Sequence, residues 1–410
     1  MRVHRGRAGN ELWLGGPVQL DIAGDVAKVI AAVRDRGDAA VLDYTERFDH
    51  ADVAPDQLQV NADELEQSIG VLEPAVLDGL RTAAANVRAV ARAQVCDEPV
   101  TVELPEGHTV NVVERPVRRA AVYVPGGRAP YPSTVVMGAV TARVAGVEQI
   151  VVCAPPGPGG RAHPVVLAAC VLCEVTEVYR MGGAQAIAAL AFGTESVESV
   201  DVIVGPGNPY VQEAKRQVVG RVGIDGIAGP SELAVIASGG ADPELIALDL
   251  MAQAEHGPDS PVWCFSPDAG LLDAVAALLE ERGPDGVARL VETTDVDTAL
   301  RLTEEIAPEH LELVGAEAEA LADRVRNAGC LFVGAAAATA FGDYVAGSNH
   351  VLPTGGAARF QSALSPATFR RRMARVSLPA EAASRLAPAG AALARAEGFP
   401  VHAESMERRA

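Results

Sequence analysis

The chain has 410 residues, room for two or three domains' worth of core, and its 49% apolar and 21% charged content is globular rather than disordered. Lys and Arg number 34 against 54 Asp and Glu, and 34 − 54 = −20, a charge that repels polyanions and argues against a nucleic-acid partner. No apolar run approaches about 18 residues, so no membrane span is expected, and the opening MRVHRGRAGNELWLGG lacks the apolar core of a secretory signal.

The first 110 residues are rich in helix signals. Apolar residues recur at helical spacing over 25–34, stopped by Gly37, and again over 80–95. Arg119-Ala-Ala-Val-Tyr-Val reads as a buried strand broken by Pro125-Gly126-Gly127. An alternation then begins. Strands are predicted at 149–154, 177–181 and 200–204, with helices at 164–172, 184–192 and 211–218 between and after them. A second series follows, with strands at 232–237 and 261–265 and helices at 243–255 and 271–282. Strands alternating with helices imply parallel sheets with right-handed crossovers, so the fold class is α/β with two units in tandem. From Pro366 onward the chain is rich in Arg and Ala and helical in character.

Five of the six cysteines (Cys96, Cys153, Cys170, Cys173, Cys264 and Cys330) sit in apolar surroundings, which suits a reducing cytoplasm and no disulfide scaffold. Cys170 and Cys173 form a CxxC, but inside an apolar helix with no second pair, and so read as core.

No G-x-G-x-x-G fingerprint is present. Three glycine loops follow predicted strands: Pro125-Gly126-Gly127, Gly182-Gly183 and Gly205-Pro206-Gly207-Asn208. Each alone is a strand-to-helix turn; three in succession also fit a ligand approached by backbone at the carboxyl ends of strands. Among the eight histidines, His256 lies three residues after Gln253, on one helix face. Asp343 and His350 bracket a turn-rich loop, and Glu397 and His402 bracket Gly398-Phe-Pro-Val. These nitrogen and oxygen donors suit zinc, but no spacing has the specificity of HExxH, and scattered surface histidines fit as well. Glu309-His310 follows Pro308. A carboxylate beside an imidazole is the usual acid–base pair near neutral pH, provided the backbone turns so that both reach one cleft. The same residues equally fit an exposed helix start with Pro308 at its first position.

From about Asp25 to the end the chain resembles the histidinol dehydrogenase family. The resemblance is carried by Val122-Tyr-Val-Pro-Gly-Gly, Gly182-Gly-Ala-Gln-Ala-Ile-Ala-Ala-Leu-Ala, Val204-Gly-Pro-Gly-Asn, Glu213-Ala-Lys-Arg-Gln, Ala228-Gly-Pro-Ser-Glu, Gln253-Ala-Glu-His, Ala307-Pro-Glu-His-Leu-Glu and Gly342-Asp-Tyr-Val-Ala-Gly-Ser-Asn-His-Val-Leu-Pro-Thr, in the family's order. It implies two incomplete Rossmann-like units plus small terminal helical elements. A cofactor unit spans 123–231, a second unit is split between 25–122 and 232–365, and a helical tail, 366–410, is exchanged in a homodimer. It implies zinc held by Gln253, His256, Asp343 and His402, and acid–base work by Glu309 and His310, with His310 neutral. NAD contacts fall on Tyr123, Gln185 and Asn208, and substrate contacts on Ser231, His350 and Glu397 alongside Gln253, His256, His310, Asp343 and His402. The implied reaction is oxidation of L-histidinol to L-histidine with two NAD.

Departures are modest: Gly257 after His256, Gly138 and Thr141, and the alanine-rich 334–340 stretch. They leave room for a paralogue acting on another amino or sulfonate alcohol. A non-catalytic nucleotide scaffold is the remaining alternative, and it would have no use for Glu309 and His310.

Overall fold

β-branched and small apolar residues dominate the segments that become strands, so each buries both faces between helices. The computed structural model describes residues 1–7, 21–96, 98–126, 129–157 and 159–410. Gly127 of the first glycine loop lies outside them. In chain order the described strands are β1 (Arg2–Arg7), β2 (Val100–Glu103), β3 (Thr109–Pro116), β4 (Arg119–Tyr123), β5 (Gln149–Ala154), β6 (Glu177–Arg180), β7 (Val202–Val204), β8 (Gly223–Ile224), β9 (Leu233–Ala237), β10 (Val262–Ser266), β11 (Val287–Glu292), β12 (His310–Val314), β13 (Cys330–Val333) and β14 (Arg370–Ser377).

They form three sheets. The first is parallel, in the order β6-β5-β4-β7-β8. The second is parallel, in the order β1-β11-β10-β9-β12-β13. In the first sheet the chain moves outward from β4 and returns to place β7 beside it, so the strand order reverses between β4 and β7. The second sheet reverses in the same way between β9 and β12. The α/β class with parallel sheets is therefore as the alternation implied.

Two expectations need correction. The segment 25–122 packs with the first sheet, not with 232–365. Val26, Val29 and Val33 of the Ala23–Arg36 helix join Ala121, Val151 and Ile187 in one core. Leu80, Ala83 and Val87 of the Pro74–Ala93 helix join Val122, Val135 and Val140 on the opposite face. The distant piece of the second sheet is instead β1, paired in parallel with β11. The tail also is not wholly helical. β14 pairs antiparallel with β3 from Arg370↔Pro116 to Ser377↔Thr109, and with β2 completes a small third sheet. Its arginines find cross-strand partners: Glu114 accepts from Arg370 at 3.2 Å and from Arg372 at 2.8 Å. The helical content follows, as Ala380–Ala396 and Pro400–Glu407 folded into a hairpin at Gly398.

Cys170 and Cys173 are buried in the core of the first unit. The departure at Gly138 has a packing cause, since a Cβ there would lie 2.6 Å from Val122 Cγ1.

One ion pair sets the glycine loop after β7. Lys215, on the Pro209–Val218 helix, is 1% exposed and pairs with Asp225. Lys215 Nζ also donates to the Gly205 carbonyl at 2.9 Å, while the Gly205 N–H donates to Asp225 Oδ2 at 2.6 Å. Gly205 takes φ +118 against the Tyr123 backbone, a conformation and a closeness that exclude a side chain. Asp225→Ala would strand a buried ammonium, and the expected loss is about 3–5 kcal/mol of stability by urea denaturation. A loss below about 1 kcal/mol would show that the pair does not hold the loop.

Candidate active site

The loops at the carboxyl ends of the first sheet come together at its reversal point. Tyr123 ends β4, and its hydroxyl accepts the Gly183 N–H at 3.1 Å. Asn208 Oδ1 caps the helix Pro209–Val218, accepting from Val211 N–H at 3.1 Å. Gln185 lies in the first turns of the helix Gly183–Phe192, fully buried, and neither its Nε2 nor its Oε1 has a hydrogen-bond partner. A buried amide in that state costs about 1–3 kcal/mol unless a ligand pairs it. All three residues expected at the cofactor thus border the place where ligands of open α/β sheets bind.

The second sheet uses its opposite end. Ser231 and Glu232 immediately precede β9, and Glu309 immediately precedes β12. The backbone turn that Glu309-His310 needed is made by Ala307, which takes φ +50. His310 is the first residue of β12 and is 2% exposed, so the exposed helix start is excluded. Gln253 Nε2 donates to Ser231 Oγ at 2.7 Å, and Ser231 Oγ donates to Glu309 Oε2 at 2.5 Å. The Glu232 N–H also reaches Glu309 Oε2, at 2.9 Å. His310 Nδ1 lies 3.2 Å from the Glu232 carbonyl and 3.7 Å from Glu309 Oε2. With Nδ1 donating to that carbonyl, Nε2 is the nitrogen left to face the cleft.

Asp343, on the helix Thr339–Tyr344, stands between two imidazoles: its Oδ1 is 3.7 Å from His310 Nε2 and its Oδ2 is 3.9 Å from His256 Nε2. His350 engages both ring nitrogens, Nδ1 with the Asp343 carbonyl at 3.0 Å and Nε2 with Thr134 Oγ1 at 3.2 Å. It thereby supports Asp343 and ties the second unit to the first.

Burial sets the charges here. Burial alone would lower His310, but Glu309 and then Asp343 outweigh it and push it up to about 9. Burial raises Glu309. Burial would raise Asp343 too, but the His256 and His310 imidazoles beside it hold it far below the usual carboxylate range. The neighbouring Asp343 carboxylate raises His256. A neutral His310 was implied by the resemblance; in the protein without metal it is a cation at neutral pH.

Glu232 received no role from its sequence. It is 4% exposed and accepts the Gly355 N–H at 2.9 Å. Burial, then the Glu309 carboxylate, push it up to about 7. Its position in Ala228-Gly-Pro-Ser-Glu, beside Ser231, was the available signal. Glu397 and His402 are not brought to this cluster. Both are exposed on the C-terminal hairpin, whose core is Ala391, Ala394 and Ala403. Among the described residues no group of three or more His, Cys, Asp or Glu side chains gathers to hold a metal; the local donors are His256, Asp343 and the amide of Gln253.

A histidinol dehydrogenase family model matches residues 18–410. The chain belongs to the histidinol dehydrogenase family. It is 46% identical over 403 residues to "Histidinol dehydrogenase" of Parasynechococcus marenigrum, covering 95% of this chain and 92% of that one. It is 43% identical over 409 residues to that of Rhodospirillum rubrum, covering 95% and 92%. The crystal structure of histidinol dehydrogenase from Elizabethkingia anophelis superposes with a TM-score of 0.93 at 31% identity, over 100% of this chain and 98% of that one. This histidinol dehydrogenase family member is accordingly an oxidoreductase, and the resemblance read from its motifs holds along nearly its full length.

The charge arrangement makes a signed prediction for the metal-free protein. His310 is raised from 6.5 to about 9. Its contribution to stability is therefore full below pH 6.5 and is lost as pH rises through about 9. Asp343→Asn removes a carboxylate that supports the imidazolium, so the His310 titration followed by NMR should move to lower pH. An unmoved titration would mean that Asp343 does not act on His310.

Proposed function

We propose that this chain oxidises L-histidinol to L-histidine through L-histidinaldehyde, the last steps of histidine biosynthesis, in the cytoplasm, with zinc and two NAD. The observation that carries the reading is the buried chain Gln253–Ser231–Glu309 beside His310, faced by Asp343 and His256, in a member of this family. Free, mostly buried cysteines and the lack of any helix long and apolar enough to cross a membrane, among the described residues, suit that compartment.

The donor set fits zinc. An imidazole nitrogen and a carboxylate oxygen 3.9 Å apart can both reach one ion at about 2.0–2.2 Å each, and Gln253 adds an amide oxygen nearby. The unpaired Gln185 amide, beside Tyr123 and the capped Asn208, fits a cofactor that brings its own donors and acceptors. When bound, NAD accepts the hydride of each oxidation, while zinc orients the substrate's nitrogens and, by drawing on the Asp343 charge, lowers the proton affinity of His310.

The protein's own groups move the protons. His310 Nε2 faces the cleft and takes the hydroxyl proton as hydride leaves the carbinol carbon. Its Nδ1 stays on the Glu232 carbonyl, which fixes ring and tautomer. Glu309, raised by burial, then takes a proton from the water that adds to the aldehyde while His310 returns its proton to the aldehyde oxygen, and His310 takes a hydroxyl proton again as the hydrate gives up the second hydride. Ser231 and the Glu232 N–H hold Glu309 in place for this. Ser231, His350, Gln253, His256, Asp343 and His310 are the substrate-side residues of one chain.

Glu397 and His402 complete the site in this reading, supplied by the tail of a second copy in a homodimer. Their hairpin supports it: it packs on itself, with Leu393 67% and Val401 74% exposed, and so presents an unpaired apolar surface along with both polar residues. A C2 pair would exchange tails reciprocally.

The deciding experiment is an NADH assay with L-histidinol: two NADH per histidinol and one histidine formed are expected. No NADH from histidinol, with turnover of another amino or sulfonate alcohol, would assign the chain to a paralogue. Within the reaction, Glu309→Gln should keep alcohol oxidation and slow aldehyde oxidation, because an amide takes no proton from water. His310→Asn should slow the first oxidation more. Equal slowing of both steps by Glu309→Gln would overturn these roles. Exhaustive chelation should abolish NADH production, and more readily at low pH, where the proton on His256 competes with the metal. Tail exchange is read by complementation. Inactive His310→Asn and His402→Asn homodimers, unfolded and refolded together, should recover about a quarter of wild-type activity, since half the dimers are mixed and each has one intact site. No recovery, with mixed dimers shown by mass spectrometry, would place the tail in its own subunit.

A further inference from the structure

Alternate residues of a strand share a face, so the side of β12 that carries His310 also carries Glu312 and Val314. On the helix Pro243–Ala254, Asp249 lies one turn before Gln253 and shares its face. Gln253 meets Ser231 at the level of His310, and one helix turn back from Gln253 and two strand residues on from His310 the same spacing sets Asp249 opposite Glu312, one layer deeper. Glu312 is 1% and Asp249 8% exposed. The influences acting on the two carboxyls are burial and each other, with no cation among them. Burial, then the Asp249 carboxylate, push Glu312 up to about 9. Two carboxylates this close in a dry interior cannot both ionise.

Such a pair is an expensive filling for a core. The rest of this contact is apolar, with Ile246, Ala247 and Leu250 packed among Leu233, Val235 and Val314. Apolar contacts carry no direction and permit sliding, whereas a hydrogen bond fixes one register. The pair sits where register matters, between the helix that presents Gln253 and leads into His256 and the strand that follows Glu309 and begins at His310.

We propose that Asp249 and Glu312 are positioning residues, whose carboxyl–carboxyl hydrogen bond fixes the helix that bears Gln253 and leads into His256 in register with the strand bearing His310. The proposal rests on the reading of Gln253 and His256 as metal ligands, and its test separates the two.

The first variant replaces both carboxyls, Asp249→Leu with Glu312→Leu. It fills the layer with apolar volume and should melt at or above the wild-type temperature. Its zinc affinity, measured on chelated and reloaded protein, should nonetheless fall about tenfold or more, with histidinol kcat/KM falling alongside, as is usual when an outer support of a metal ligand is lost. The second variant, Asp249→Asn with Glu312→Gln, keeps a donor and an acceptor without any charge. It should stay within about threefold of wild type in both quantities, and it decides the question if the leucine variant does not fold. Wild-type zinc affinity in a folded leucine variant, or an amide variant as impaired as the leucine one, would overturn the proposal. Should wild-type protein bind no zinc, the metal reading fails and the clamp is read from hydrogen exchange. The amides of Gln253 and His256 should then exchange faster in the leucine variant at equal global stability, and equal exchange would refute the clamp.

Discussion

The site depends on an excess of buried carboxylate. Glu232, Glu309 and the partly buried Asp343 converge where the second unit meets the first, and among the described residues imidazoles are the groups that stand against them. An unpaired charge in such a place is costly, so each carboxylate is either protonated, hydrogen-bonded or set beside an imidazolium. Glu309 takes two donors, from Ser231 and from the Glu232 amide. Glu232 takes the Gly355 amide. Asp343 draws on His256 and His310 together. The proton on His310 is the response of a negatively charged pocket, and any cation that enters competes with it for the same carboxylates. Proton affinity and metal affinity are thus two readings of one electrostatic balance.

Two parallel sheets make that balance possible by meeting at opposite ends. The first unit offers the carboxyl ends of β4 and β7, where loops expose backbone N–H groups and a capped helix. The second offers the amino ends of β9 and β12, where Ser231, Glu232, Glu309 and His310 are held at the strand starts. Residues just before a strand are as rigidly placed as those just after it. The Thr134–His350 bond joins the two units, so the first unit and the Glu309–His310–Asp343 cluster are registered through one hydrogen-bonded imidazole.

Much of this was legible in the chain itself. The alternation of apolar runs and helices located the core strands, because those strands bury both faces and read as continuous β-branched segments. β1 and β14 escaped for the opposite reason. Arg2–Arg7 and Arg370–Ser377 are exposed edge strands, rich in arginine, and their pairing is set by partners hundreds of residues away. The unit to which 25–122 belongs was not legible from helix periodicity, which marks an apolar face without naming the sheet that covers it. Glu309 and His310 were visible as a pair of reactive types, yet their spacing fitted a helix start equally well; only the αL turn at Ala307 and the strand at His310 decide it. Glu232, Asp249, Glu312, Lys215 and Asp225 were silent because a buried charge looks like a surface charge until its partner is known.

The C-terminal hairpin shows how far one chain can go alone. The helix Ala380–Ala396 and the helix Pro400–Glu407 are joined by a left-handed Gly398, and Arg395 grips Glu407 with two bonds of 2.8 and 2.7 Å. That makes it a rigid unit rather than a frayed end. A rigid, self-packed hairpin with large apolar residues facing outward has a shape already fixed before it meets anything, so docking it costs little ordering entropy. Gln253, His256 and Asp343, by contrast, come from one helix, the turn that follows it and a second helix. In the proposed dimer such a hairpin would dock ready-made, and one two-fold operation would serve both copies.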